Sequence, residues 1–245
     1  MEGRVRPAGG ARRPGRGAAA AEELALAEVA RFARALAHPQ RLRLLGLLAQ
    51  GARTVEALAG AAGLSVANAS AHLGVLRRAG LVRASRRGTY VEYRLDGDDI
   101  LNLWLGLQEA ARRRSERLVL LAREAAGAGK AGWGPPLEPG ELAGRLRQVL
   151  LFDLRPAAEY AAGHLPGARP LPAEELAEGG DALERLAGER GATEAVAYCR
   201  GPYCFLGRSL LPHLARHFPR VRLLAGGFAR WRAEGYPVEG GAGGT

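Results

Sequence analysis

Residues 54–95 read TVEALAGAAGLSVANASAHLGVLRRAGLVRASRRGTYVEYRL, and the order of caps, apolar spacing and turns in this stretch decides the fold of the first half of the chain. Thr54 can cap a short helix running to about Ala61, with Glu56 placed in the favourable first turn. Gly63 separates this from a second helix capped by Ser65. The second helix puts Val66, Ala69, Leu73 and Leu76 on one face and leaves Asn68, Ser70, His72, Arg77 and Arg78 outward or flanking. A slim polar row ending in cations suits a helix that enters a major groove and meets phosphates at its edge. After Gly80, Leu81–Ser85 and Tyr90–Leu95 alternate as two strands around Arg86, Arg87 and Gly88. That predicts a hairpin whose basic tip reaches backbone phosphate or the minor groove.

Upstream, Leu24, Val29, Phe32, Ala33 and Leu36 recur at helical spacing, Pro39 resets the chain, and Leu42 to Leu48 form another helix stopped by Gly51. Downstream, one long helix is expected from Asp98 to about Ala125, with Leu101, Trp104, Leu105, Gln108, Ala111 and Leu118 as its packing stripe. Residues 1–20 are Gly, Ala, Pro and Arg with little else, a composition expected to remain a disordered basic tail. The tail has no apolar stretch of the secretory kind, and no run in the chain approaches the roughly 18 apolar residues a membrane span needs.

Charge sets this first half apart. Residues 1–130 carry 22 basic and 12 acidic side chains, whereas residues 131–245 carry 13 of each. The whole excess of the +10 chain therefore lies in one module, which points to a polyanionic partner for that module alone.

The runs LAHPQRLRLLGLL, LSVANASAHLGVLRRAGLV and RRGTYVEYRL resemble the ArsR/SmtB-type winged-helix repressors, over about residues 22–125. The resemblance implies a homodimer built from the terminal helices and bound to double-stranded DNA at an inverted repeat. It places Asn68, Ser70 and His72 at base-contact positions, with Val66 and Gly74 where the family often has polar or basic side chains. Relatives that sense metals use cysteines in the first short helix or Asp/His ligands on the terminal helix. Residues 54–61 hold no Cys and residues 98–125 no His, so neither a metal nor a cofactor is expected.

AGAGKAGWGPPLEPG, residues 126–140, breaks all periodicity, and residues 126–137 are read as a linker between a domain at 21–125 and one at 138–240. In the second domain, strands are expected at Val149–Leu154, Ala195–Tyr198 and Val221–Leu224. Helices are expected at Ala173–Glu189, Phe205–His217 and Phe228–Glu234. Such alternation predicts a mainly parallel sheet flanked by helices. The chain as a whole is thus expected to be a mainly α winged helix-turn-helix followed by an α/β parallel-sheet domain.

The strand ending at Tyr198 opens directly onto Cys199, and a helix begins near Phe205. Loop amides and a helix N-terminus in that position lower a thiol's pKa and stabilise negative sulfur, and Arg200 is expected to add a cation. A Cys-x5-Arg phosphatase loop needs Arg at 205, where this chain has Phe205. Cys199 and Cys204 supply only half of a tetrahedral metal site.

Together with DLRPAAEYAAGHLPGA (Asp153–Ala168) and GGFARW (Gly226–Trp231), this loop resembles the rhodanese domain over about residues 138–240. The resemblance implies that Cys199 accepts sulfane sulfur as a persulfide, from thiosulfate or a persulfide donor, inside a loop that includes Arg200, Gly201, Tyr203 and Cys204. Cys204 departs from the family's one-cysteine loop and is either an inert loop residue or a resolving thiol that attacks the Cys199 persulfide. Asp153 and Arg155 are expected to edge its pocket, and Glu159, His164 and Gly226–Trp231 mainly to hold the fold. The expected function is a cytoplasmic DNA-binding regulator whose sulfur status alters repression. The alternatives are a sulfurtransferase that the winged helix tethers or dimerises, and a rhodanese fold kept as an inactive interaction module.

Overall fold

The structure is a computed structural model that describes residues 16–125, 133–172, 194–204 and 206–240. It opens with two helices, α1 (Arg16–Leu36) and α2 (Pro39–Leu48), the latter capped by His38, whose Nδ1 accepts from the Gln40 amide. A two-residue strand β1 (Arg53–Thr54) leads into α3 (Val55–Ala62) and α4 (Val66–Arg78). Thr54 caps α3 through the Ala57 amide and Ser65 caps α4 through the Asn68 amide. Gly63 stands between the two helices at φ 67°, a left-handed turn that a β-carbon would strain. The strands β2 (Val82–Arg87) and β3 (Tyr90–Leu95) form the wing, and β1 pairs on the far side of β3, giving the order β1-β3-β2.

One core joins these elements: Leu44, Leu45 and Leu48 of α2, Leu58 of α3, and Leu73 and Leu76 of α4 pack with Leu81, Val82 and Leu101. Full burial of each such leucine contributes roughly 1.5–3 kcal/mol. Val66 is not among them. At 46 % exposure it stands in the open first turn of α4, so the buried face starts only at Ala69.

The hairpin is longer than the pattern predicts. Arg86 and Arg87 are the last residues of β2, paired with Val91 and Tyr90, and the turn itself is Gly88–Thr89. The long downstream helix is two helices, α5 (Asp98–Arg112) and α6 (Glu116–Ala125). Ser115 breaks it, because its Oγ accepts from the Leu118 amide and caps a new start. At the other end α1 begins at Arg16, inside the expected tail, where the run Ala18–Ala21 has the highest helix propensity of any residue type. Residues 1–15 lie outside the described residues.

The second half contains α7 (Pro139–Ala143), β4 (Leu150–Asp153), α8 (Ala157–Ala162) and β5 (Arg169–Pro170). It continues through β6 (Glu194–Tyr198), α9 (Leu206–His217), β7 (Arg220–Leu223) and α10 (Gly227–Ala233). The sheet is parallel in the order β5-β4-β6-β7. Alternate residues feed opposite faces: Leu150, Phe152, Ala195 and Ala197 meet Leu211, Leu214 and Phe218 on one side. Leu151, Val196 and Tyr198 meet Leu142, Phe228 and Trp231 on the other. The expected helix at 173–189 falls outside the described residues.

Two features depart from a pair of domains joined by a free linker. Residues 133–137 run along β7, with parallel bridges Trp133–Val221 and Leu137–Leu224, so the end of the expected linker belongs to the second domain. Ala229 of α10 is buried in the winged-helix core, with Ala233 packed against it. The two halves therefore share buried surface.

Leu73 has no exposed surface at the centre of the first core. Leu73→Ala is expected to lose about 2–5 kcal/mol in urea unfolding of the full chain, whereas Val66→Ala, at the exposed first turn, changes stability by less than about 1 kcal/mol.

Candidate functional site

Two surfaces carry the residues singled out by the sequence. On α4, Asn68, Ser70, Arg77 and Arg78 are solvent-exposed. His72 is half-buried and faces inward against His38, ring centroids 4.5 Å apart, so it leaves the outward row. Burial, and then the nearby His38 and Arg41, hold the His72 imidazole below its ordinary pKa. On the wing, Arg86 and Arg87 are exposed, and Arg87 lies 3.4 Å from Glu92.

The second surface is the loop that leaves β6. Cys199 is the first residue past the strand, is 6 % exposed, and is joined to Cys204 as a disulfide with a Cα–Cα distance of 6.3 Å. The loop is held from beneath by α10, since the Phe228 amide donates to the Cys199 carbonyl at 2.9 Å. Gly227 makes that approach achievable: at φ 61° its missing β-carbon would strike the Cys199 carbonyl oxygen. The Cys204 amide donates to the Gly201 carbonyl and closes the loop on itself.

Arg200 does not serve the thiols as the sequence predicts. Its Nε and Nη2 donate to the Glu159 carboxylate at 2.5–3.0 Å, and Glu159 is fully buried. Glu159 also accepts Arg53 of the winged-helix half, 2.8 Å away. A residue assigned to holding the fold thus joins two cations from two domains.

Asp153 and Arg155 likewise differ from expectation. Both are fully buried, and neither lines the clefts beside the loop. Arg155 binds both oxygens of Asp153, donates to the Gly163 carbonyl at 2.6 Å, and lies 3.9 Å above the Phe228 ring. Its remaining Nη1 donates to Gln50 Oε1 at 3.4 Å. His164 stacks on Tyr160 at 3.8 Å and pairs with Glu239 through the backbone, a structural place as expected.

Gln50 and Arg53 went unnoticed in the sequence. Gln50 is 2 % exposed, and its Nε2 donates to the carbonyls of Gly46 and Arg200, both at 3.2 Å. Its two partners in the second half are 105 and 150 residues away, beyond any local pattern. The one available signal is a polar residue closing the leucine run of α2, immediately before Gly51.

Two clefts flank the loop. One, of about 940 Å³, is lined by Cys199 and Cys204 together with Glu109 and Arg112 of α5 and Arg230 of α10. The other, of about 820 Å³, is more apolar and is lined by Cys204 and Tyr203 with Trp104, Leu105, Leu42 and Leu118. Hydrogen bonds from Arg112 and Arg113 hold the Glu109 carboxyl down at about 2. Burial pushes the Tyr203 phenol up, and its hydroxyl, buried between loop and α5, meets no hydrogen-bond partner among the described residues. The cysteine loop is therefore walled on both sides by helices of the winged-helix half.

Comparison with known proteins agrees with this division. The helix-turn-helix domain profile matches residues 36–84 and the rhodanese-like domain profile residues 138–234. The chain is 40 % identical over 220 residues to the HTH-type transcriptional regulator Rv0324 of Mycobacterium tuberculosis, covering 89 % of this chain and 92 % of that protein. It is 41 % identical over 76 residues to the biofilm growth-associated repressor of Agrobacterium fabrum, 31 % of this chain and 65 % of that one. Among solved structures, the homodimeric winged helix-turn-helix DNA-binding domain of a possible ArsR-family transcriptional regulator from Mycobacterium bovis is 44 % identical. That match covers 38 % of this chain and 86 % of the fragment, with a TM-score of 0.37. With a relative matched along nearly its whole length and both halves recognised, the chain belongs to the ArsR-type HTH transcriptional regulators that carry a C-terminal rhodanese-like domain.

Proposed function

We propose that this regulator is a repressor in which Cys199 accepts sulfane sulfur and the state of the Cys199 loop alters DNA binding. The observation that carries the reading is the pairing of Cys199 with Cys204 in a loop that touches the winged-helix half directly through Gln50. The persulfide donor is itself the two-electron oxidant. The Cys199 thiolate attacks the outer sulfur of a persulfide, R–S–SH, giving Cys199–S–SH and releasing the thiolate RS⁻. The Cys204 thiolate then attacks Cys199 Sγ, forms the Cys199–Cys204 bond and expels HS⁻. The two cysteines are oxidised by two electrons and the sulfane sulfur is reduced to sulfide. Arg200 is engaged by Glu159, so the loop offers a simple anion such as thiosulfate less than the sequence implies, and a persulfide or polysulfide is the donor favoured by the geometry.

DNA contact is assigned to Asn68, Ser70, Arg77 and Arg78 on α4 and to Arg86 and Arg87 on the wing, with His72 behind them. We assign dimerisation to α1 with the terminal helices α5 and α6. On α1, Leu26 and Val29, neighbours one turn apart, are 61 % and 63 % exposed, and Leu24 on another face is 70 % exposed, apolar surface that a single chain leaves uncovered. A two-fold dimer of this kind reads an inverted repeat in double-stranded DNA. No described helix is long and apolar enough to cross a membrane, and a DNA-binding role with reactive thiols implies the cytoplasm.

Intact mass of the reduced full chain before and after polysulfide tests the chemistry. Wild type is expected to lose two hydrogens as the bridge closes, Cys204→Ser to retain one added sulfur, and Cys199→Ser to gain none. Sulfur gain by Cys199→Ser equal to that of Cys204→Ser would sink the assignment. For DNA, affinity for a duplex selected from a random pool is expected to fall steeply with salt. The double change Arg86→Ala and Arg87→Ala is expected to flatten the log–log salt slope by about 1–2. An unchanged slope would remove the wing from the interface.

A further inference from the structure

The sulfur loop is fastened by two side chains that belong to the other domain. Gln50, at the end of α2, donates to the carbonyl of Arg200, the residue next to Cys199, and also accepts from the buried Arg155. Arg53, on β1, shares the Glu159 carboxylate with Arg200. Around Gly51, which joins them, the backbone comes so near α8 that an added β-carbon would lie 3.1 Å from the Ala162 methyl. These contacts leave little room for the loop to adjust alone.

Charge around the loop sharpens the point. Asp153 and Arg155 cancel as a buried pair. Glu159 is matched by Arg200, which leaves Arg53 as the surplus cation of that cluster. From α5, Glu109 is shared by Arg112 and Arg113, and from α10, Arg230 lies between Glu138 and Glu234. Arg43 of α2 donates to the Ala62 carbonyl, and Arg123 of α6 lines the wider cleft. Within the Glu159 cluster, then, the net positive charge comes from two arginines sharing one carboxylate, and one of them, Arg53, belongs to the DNA-binding half.

We propose that Gln50 and Arg53 are positioning residues of the sulfur site, Gln50 by fixing the loop at Arg200 and Arg53 by supplying the surplus positive charge beside it. The inference rests on Cys199 being the reactive thiol assigned above. It makes the DNA-binding half a working part of the sulfur site. Coupling between sites is reciprocal, so a change in the loop is felt at Arg53. Arg53 pairs with Tyr93 of the wing and directly precedes Thr54, the cap of α3. The path from thiol to DNA-facing elements then runs through a few adjoining residues and does not use the linker.

The test uses the full chain in a Cys204→Ser background, so that Cys199 is the only thiol, and follows its alkylation by iodoacetamide across pH by intact mass. Arg53→Ala is expected to slow the reaction about three- to tenfold at neutral pH and to move the profile to higher pH, with Arg53→Lys restoring it. Gln50→Ala removes no charge, so it is expected to raise the plateau rate by freeing the loop while the midpoint stays. Thermal unfolding is recorded for each protein. If Arg53→Ala fails to fold, Arg53→Gln is compared with Arg53→Lys instead. Profiles that superimpose on the parent for Arg53 and Gln50 variants overturn the proposal. The same proteins are treated with polysulfide. Shifted alkylation profiles without sulfur gain anywhere would uphold the positioning role and remove the sulfur reading. Sulfur gain with superimposed profiles would do the reverse.

Discussion

A buried carboxylate is stable only where cations and hydrogen-bond donors are brought to it, and Glu159 is served from both halves of the chain. Arg200 comes from the loop next to Cys199 and Arg53 from the strand next to the first helix of the helix-turn-helix. Removing either cation leaves a fully buried charge short of a partner. Gln50 works alongside by a different means. Its amide uses both ends, accepting a hydrogen bond from Arg155 and donating to the Gly46 and Arg200 carbonyls, so the buried side chain is satisfied only when both halves are in place.

That dependence makes the rhodanese-like half something other than a passenger on a DNA-binding protein. Ala229 of the GGFARW motif is shared with the winged-helix core, while the neighbouring Phe228 amide holds the Cys199 carbonyl. One short helix therefore touches the cysteine loop and the core behind α4. A cysteine loop in a free-standing domain would have its surroundings set within that domain. Here the walls of the loop are α5, α6 and α10, and its anchors are α2 and β1.

Local order was legible in the sequence because caps and periodicity are local physics. Thr54, Ser65 and Gly63 mark their helix ends, and Ala69, Leu73 and Leu76 are buried as their spacing predicts. The position of Cys199 at a strand end, and the parallel strands around it, also follow from short patterns. What escaped depends on distant partners. The capping power of Ser115 outweighed the apolar stripe that runs past it. Arg200 was assigned to the thiol because nothing in its neighbourhood reveals that a carboxylate 41 residues earlier claims it. Asp153 and Arg155 read as pocket residues from a motif, yet their mutual neutralisation lets both sink out of reach of solvent. Gln50 and Arg53 carry no motif at all.

The segment that runs along β7 bears on how these molecules meet one another. An exposed strand edge is a template for pairing with a second chain. On one side of this sheet Trp133 and Leu137 occupy that template, with hydrogen bonds at Gly134, Leu137 and Ala225. On the other, β5 is two residues long and ends in Pro170, which has no amide proton to give. Among the described residues the sheet therefore offers no edge long enough to recruit another strand. Among the described residues of this half, addition of a strand from another copy is thereby disfavoured at both edges of the sheet.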